Sequence, residues 1–172
     1  MSEIITQHFR HLWEQEFKNT QSVLAVIPDD QMAYVPFPGA MSLRRLTLHI
    51  IGLEQQFILG VKNGEIVAGS SRRDIAELQT AAAMAAHYQA QHEAFRPIVD
   101  GFDDEFLSRT VVFKTPTGEV LRQLPGTDFL FTVLLHHLIH HRGQLLTYLR
   151  LLGVKIPGLY GPTRENTPGA AD

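Results

Sequence analysis

Apolar residues recur at intervals of three and four over much of the chain, and this spacing places them on one face of an α-helix. The first such stretch covers residues 3–27 and is ended by Pro28 and Asp29. After an irregular link, a second stretch begins near Ser42, a residue type that caps helix N-termini, and runs to about Gly60. The pattern predicts two long helices in the first third of the chain.

The middle of the chain changes character twice. Residues 73–99 are rich in alanine and again carry apolar side chains at helical spacing, so we expect a third helix there. Residues 109–123 contain β-branched and aromatic residues on both sides of Thr117-Gly118. Two such runs around a glycine-containing turn predict a short β-hairpin.

A fourth helix is expected to begin at Thr127 or Asp128, either of which could cap it, and to end near Leu152. Four long helices with one long connection predict an all-α fold, a four-helix bundle with a short β-hairpin insertion before the last helix. Neither an internal repeat nor a dividing linker is present, so we interpret residues 1–172 as a single domain.

Composition narrows the possible functions. The chain is 44% hydrophobic and 19% charged, as in ordinary globular proteins, and its net charge of −3 gives it no general attraction for nucleic acid or anionic lipid. Its N-terminus lacks the apolar segment of a signal peptide, and no apolar run approaches the roughly 20 residues of a membrane span. We therefore expect a cytoplasmic protein that contacts neither nucleic acid nor membrane.

The chain has no cysteine, so histidine and carboxylate are its strong metal-ligand types. Nine histidines are present, and four of them fall within six residues: His136, His137, His140 and His141. His137 and His141 are four residues apart, which on a helix places their Cβ atoms about 5–6 Å from each other. The same face carries apolar residues (Leu130, Leu134, Leu145 and Tyr148), so we expect the pair to point into the bundle.

The histidine pattern leaves alternatives open. His136 and His140 have the same spacing and share their sector with Phe129 and Val133, so symmetry does not exclude them. A pair at this spacing also arises by chance, and an interior histidine is usually a hydrogen-bonded core residue.

His49 favours a metal site, because it lies beside the apolar stripe of the second helix. Three neighbouring buried imidazoles without a cation would leave polar nitrogens unpaired, at a cost of a few kcal/mol. Three ligands would leave one position open for water or substrate. Glu54 and Asp128 are possible further ligands, although a carboxylate on a helix is more often a solvated surface group.

Two segments resemble a known family. Residues 137–145 read HLIHHRGQL and are followed by Tyr148, Gly153, Pro157 and the run Tyr160-Gly161-Pro162. This stretch resembles the C-terminal signature of the DinB family, the DinB/YfiT-like metalloenzymes. Residues 42–50 resemble that family's second-helix motif.

The resemblance implies an up-down-down-up four-helix bundle, often dimeric, in which a histidine triad holds zinc or nickel. The family's ligand positions fall on His49, His137 and His141, which selects this pair over His136 and His140. His140 then neighbours the site without binding the metal. Arg142 and Gln144 also match the pattern: we expect Arg142 to face outward to a carboxylate or dimer partner, and Gln144 to hydrogen-bond near the site.

The resemblance further implies a metal-dependent enzyme of thiol S-transferase or hydrolase type, acting on a small molecule with a low-molecular-weight thiol. The alternatives are a non-catalytic metal-binding stress-response protein and a dimeric structural module. We expect a homodimer, also because Trp13 and Phe17 suggest surplus apolar surface on the first helix. A catalytic site would face a pocket lined by the loop after the second helix and the coil around Tyr160.

Overall fold

The computed structural model describes residues 4–70, 75–164 and 167. Its helices are α1 (Ile4–Leu24), α2 (Leu43–Asn63), α3 (Ala81–Asp100), α4 (Asp104–Leu107), α5 (Gly126–Asp128) and α6 (His136–Leu151). A 3₁₀ turn covers Asp29–Gln31, and a π-helical segment covers Phe129–Leu135. Strands β1 (Glu65–Val67), β2 (Thr110–Lys114) and β3 (Val120–Pro125) form one sheet. The chain is therefore mostly helical with a small three-stranded sheet.

The sheet contains a strand that the hydrophobic pattern did not predict. β1 pairs with β2 in parallel, and β2 pairs with β3 antiparallel, with a register shift between Phe113 and Lys114. Gly64 ends α2 with a positive φ of 76° and lets the chain turn directly into β1. A Cβ at Gly60 would lie 2.2 Å from Cγ1 of Ile66, so the close approach of α2 and β1 requires glycine.

Helix α2 begins where it was expected, and α3 begins later. The Ser42 hydroxyl accepts a hydrogen bond from the Arg45 backbone N–H at 3.2 Å, which caps α2. Thr80 caps α3 in the same way through the Ala83 N–H, so that helix starts at Ala81 and not near residue 73. Residues 73 and 74 lie outside the described residues.

The last long helix differs from its prediction at its start. α5, the π-helical segment and α6 follow one another with right-handed helical backbone at each junction. Thr127 and Asp128 lie inside this helical stretch, and Pro125 takes the cap position without a side-chain hydrogen bond. The proposed capping by Thr127 or Asp128 is therefore wrong.

The core forms between the long helices: α2 packs against α3, α6 and the π-helical segment, and α1 packs against α3. Its fully buried side chains include Phe9, Leu46, Ile50, Tyr88, Leu134, Leu138, Leu145 and Leu149. Trp13 and Phe17 are only 2% and 6% exposed within the single chain. They supply no surplus apolar surface for a dimer, and that part of the dimer argument was wrong.

Within the described residues, no helix combines the length and apolar character needed to cross a membrane.

Candidate metal site

The buried face of helix α6 is centred on the residues that directly follow His137 and His141 in the sequence, and not on the two histidines themselves. Leu138, Arg142, Leu145 and Leu149 form that centre and are at most 1% exposed. His137 and His141 each precede one of these residues and are only partly buried. The expectation that the pair points into the interior is corrected: the two imidazoles lie at the margin of the packed face, where solvent can reach them.

A π-helical segment precedes the histidines and interrupts the apolar face that was predicted for this helix. In a π-helix the backbone N–H of residue i+5 donates a hydrogen bond to the carbonyl of residue i, and the His136 N–H donates to the Phe131 carbonyl as well as to that of Val133. A uniform 100° per residue therefore fails before His136, so Leu130 and Leu134 are poor guides to the direction of His137. Such segments occur frequently at functional sites.

Three histidines meet where α2 packs against α6. The Nε2 atoms of His49 and His137 lie 3.3 Å apart, although the two residues are 88 positions apart in the chain. The ring centroids of His49 and His141 are 4.4 Å apart, and those of His137 and His141 are 4.6 Å apart. One nitrogen from each of the three rings lies within 4.8 Å of the other two. The structure thus brings together all three predicted ligands.

This geometry fits a divalent metal ion. Two nitrogens bound at about 2.0–2.1 Å to one tetrahedral ion lie about 3.3 Å apart, which matches the His49–His137 separation. Without an ion, one of these Nε2 atoms must donate a proton to the other. Such a hydrogen bond joins two of the rings, whereas one ion can bind a nitrogen of all three.

No carboxylate joins the triad among the residues that the structure describes. Glu54 is fully buried, and its Oε1 accepts hydrogen bonds from Trp13 Nε1–H at 3.0 Å and from the Tyr88 hydroxyl at 2.8 Å. Asp128 is exposed to solvent. Glu54 therefore belongs to the packed core, and Asp128 is a surface group.

Gln144 holds two histidines through one amide. Its Oε1 accepts a hydrogen bond from Nδ1–H of His141 at 2.8 Å, and its Nε2–H donates to Nε2 of His140 at 3.1 Å. The first bond fixes the proton of His141 on Nδ1 and leaves the Nε2 lone pair for a metal. The second occupies the Nε2 lone pair of His140. His140 therefore neighbours the site as expected, and Gln144 makes the hydrogen bonds predicted for it.

Two of the four histidines of α6, His137 and His141, have lowered pKa values, which favours their neutral form. Burial lowers the pKa of His137 below 6.5, and the nearby His141 and His140 lower it further. Burial also lowers the pKa of His141, opposed by its hydrogen bond to Gln144. A histidine must be neutral to bind a metal ion through a ring nitrogen, so these shifts are compatible with metal binding at neutral pH.

Arg142 does not face outward as predicted. It is 1% exposed and forms a buried ion pair with Glu16 of α1, and it also donates to the Thr20 hydroxyl at 3.0 Å. It donates to the Tyr160 hydroxyl as well, which in turn donates to Glu16 at 2.6 Å. Burial and the bond to Glu16 raise the pKa of Tyr160 to about 12. Arg142 therefore ties α1, α6 and the C-terminal coil together beside the triad.

A cleft of about 170 Å³ opens beside His49. Its other lining residues are Met41, Arg44, Arg45, Leu48, Ile75 and Ala76. Ile75 and Ala76 precede α3, in residues that were predicted to belong to the third helix and not to the loop after α2. Tyr160 is not among the described lining residues, and its hydroxyl is bonded to Arg142 and Glu16. The two arginines were not singled out from the sequence.

Comparisons with known proteins agree on one family. A model of the DinB family matches residues 1–169. The uncharacterized protein YrdA of Bacillus subtilis is 26% identical over 160 residues, covering 92% of this chain and 89% of YrdA. The crystal structure of a DinB-like protein from Bacillus cereus aligns with a TM-score of 0.73 at 28% identity, covering 90% of this chain and 97% of that one. A DinB-like protein from Bacillus subtilis, YjoA, aligns with a TM-score of 0.66 at 23% identity, covering 90% and 96%.

Proposed function

Because the chain belongs to the DinB family, we propose that it binds one divalent metal ion, zinc or nickel, through His49, His137 and His141. The observation that carries this proposal is the approach of three imidazole nitrogens to within 4.8 Å of one another. Neutral imidazole is a ligand that both metals accept.

The proposed architecture is a single domain over residues 1–172. In it the four long helices form an up-down-down-up bundle, and β2 and β3 are a hairpin inserted before the last helix. The triad then lies between the second and last helices of the bundle, a usual position for metal sites in such folds.

We propose that the site serves a metal-dependent enzyme of thiol S-transferase or hydrolase type. Bound by three histidines, the ion would keep one position open and lower the pKa of a thiol or water placed there. The chain has no cysteine of its own, so a thiol nucleophile would come from a second, low-molecular-weight substrate. The cleft beside His49 is large enough for a small molecule and supports a catalytic role over a purely structural one.

Residues of the chain contribute by holding the triad. Gln144 keeps the proton of His141 on Nδ1, and Arg142 fixes α6 against α1 through Glu16. Both interactions limit the motion of the ligands. We assign no general base, because the neighbouring His140, whose ring centroid lies 4.9 Å from that of His141, accepts a hydrogen bond from Gln144 at its Nε2.

Cobalt-substituted protein tests this function. A small thiol that binds the ion directly should add a sulfur-to-metal charge-transfer band to the near-ultraviolet spectrum, and the His137→Ala variant should not develop it. The His136→Ala variant is the matched control, since His136 is an exposed histidine on the same helix.

The result also separates the alternatives. An unchanged spectrum over a panel of small thiols, with cobalt bound, contradicts the transferase reading and leaves a metal-binding protein. Failure to bind cobalt leaves only the structural module. A thiol conjugation screen on the zinc and nickel forms then identifies the electrophile.

We also propose that the protein is a homodimer and that it is located in the cytoplasm. The family resemblance supports the dimer, and sedimentation at micromolar concentration tests it. A monomer there contradicts it.

A further inference from the structure

We infer that the cleft beside His49 binds a small substrate with a carboxylate on an apolar body, and that Arg45 binds the carboxylate. This inference rests on the proposed function, because it places the substrate next to the histidine triad. It names the chemical class that the site selects.

The attraction for an anion in this cleft does not come from the N-terminus of α2. Three backbone N–H groups of its first turn already have acceptors: Leu43 donates to the Tyr34 carbonyl at 2.8 Å, Arg44 to the Met32 carbonyl at 3.0 Å and Arg45 to the Ser42 hydroxyl at 3.2 Å. An anion must therefore be recognised by side chains.

The two arginines of the cleft differ in what they bind. Arg44 donates from Nε to the Leu78 carbonyl at 3.0 Å and from Nη2 to the Ala76 carbonyl, so it ties the far wall of the cleft to α2. Arg45 is exposed, and within residues 4–70 and 75–164 its guanidinium has no hydrogen-bond or ion-pair partner. Arg45 is thus the guanidinium of this cleft that remains available to a ligand.

The position of Arg45 connects it to the triad. Arg45 and His49 are one helical turn apart on α2, with Cβ atoms about 5–6 Å from each other. Both line the cleft. A ligand bound to Arg45 therefore has its remaining atoms within reach of the triad.

The residues that line the cleft indicate which kind of anion it binds. Met41, Leu48 and Ile75 offer an apolar surface, which suits a hydrocarbon body. One available guanidinium matches a planar carboxylate through two parallel hydrogen bonds. A phosphate dianion usually takes further cations or free helix N–H groups, and the first turn of α2 has none to offer. We therefore favour a carboxylate.

Titration of the ¹⁵N-labelled protein with hexanoate tests the inference, with hexanamide as its uncharged analogue. Both are followed by NMR through the amides of Leu48 and Ala76. Because a carboxylate can also bind the metal itself, the titration is repeated on His137→Ala protein stripped of metal with a chelator. Arg45→Gln removes the charge, and Arg122→Gln is the matched control on the exposed surface of β3.

We expect hexanoate to bind the wild type and the metal-free His137→Ala protein with equal affinity. Hexanamide should bind with an affinity at least about tenfold lower. Arg45→Gln should weaken hexanoate binding by a similar factor, and Arg122→Gln should leave it unchanged. Hexanoate that binds Arg45→Gln as well as wild type, or that causes no shift at the cleft, would overturn the inference.

The inference and the proposed function can fail separately. Hexanoate binding that needs the metal but not Arg45 places the carboxylate on the ion and ends the inference alone. If hexanoate binding depends on Arg45 but the protein binds neither metal nor thiol, the proposed function is wrong. The cleft is then still a carboxylate-binding site.

Discussion

Gln144 accepts a hydrogen bond from His141 through Oε1 and Nδ1–H, at 2.8 Å, one turn along α6. Partners of this kind orient a metal-binding histidine, and their loss typically costs about 10–100-fold in metal affinity. We predict that Gln144→Leu weakens zinc binding by about that factor, measured by competition with a chromogenic chelator. Gln123→Leu on exposed β3 is the control and should change nothing. Equal affinity in Gln144→Leu and wild type would show that His141 needs no such support.

The lowered pKa values of His137 and His141 predict how metal binding depends on pH. Each ring must be neutral to bind, so occupancy should persist somewhat below pH 6.5 and then fall as the rings take up protons. Elemental analysis after dialysis at a series of pH values measures this. Occupancy that stays constant down to about pH 4 would point to carboxylate ligands instead.

The same shifts predict the stability of the metal-free protein. Between the lowered folded pKa values and 6.5, the unfolded chain binds more protons than the folded one, so stability falls as the pH drops through this window. Below the folded pKa values the loss from these two groups levels off. Urea unfolding of wild type and of a His137→Ala variant at a series of pH values checks this, and the variant should show the smaller decline. An equal decline in both would show that the pKa of His137 is not lowered in the folded protein.

The buried ion pair of Arg142 and Glu16 predicts that removing one partner destabilises the fold more than replacing both. Arg142→Leu removes the cation that pairs with the buried Glu16, which should cost about 3–5 kcal/mol in urea unfolding. Tyr160→Phe removes only a hydroxyl and should cost about 1 kcal/mol. The double variant Glu16→Leu with Arg142→Leu should lose less than Arg142→Leu alone. Arg122→Leu is the exposed control, and a loss there as large as in Arg142→Leu would refute the account.

Two helical glycines should respond in opposite directions to alanine. At Gly60 the new Cβ would collide with Ile66, so Gly60→Ala should destabilise by about 1–3 kcal/mol. At Gly143 no described atom lies within 4 Å of the new Cβ, so Gly143→Ala should stabilise by up to about 1 kcal/mol. Thermal unfolding of both variants measures the difference, and two changes of the same sign would contradict the packing described for α2 and β1.

Much of the helical content could be predicted because apolar spacing reports directly on helical faces. The cap at Ser42 and the start of the long helix α2 follow from residue chemistry alone. β1 was missed because three residues are too few to establish an alternating pattern. The π-helical segment was missed because its i to i+5 bonding leaves no mark in residue spacing.

The candidate site was predicted in part from residue spacing and in part from resemblance. Spacing alone left His136 and His140 as alternatives, and only the family pattern selected His137 and His141. Arg142 was misplaced because a charged side chain on a helix is ordinarily solvated, and its partner Glu16 is 126 residues away in the chain. Arg45 carries no local signal, since its role depends on a cleft formed by distant segments.

Elemental analysis of protein purified without a polyhistidine tag tests the central claim most directly. We predict about one divalent ion per chain in the wild type and in His136→Ala. The metal content should fall sharply in His49→Ala, His137→Ala and His141→Ala. All five proteins should keep the same circular dichroism spectrum, so that loss of metal is not loss of fold. Retention of as much metal by His137→Ala as by wild type would contradict the account.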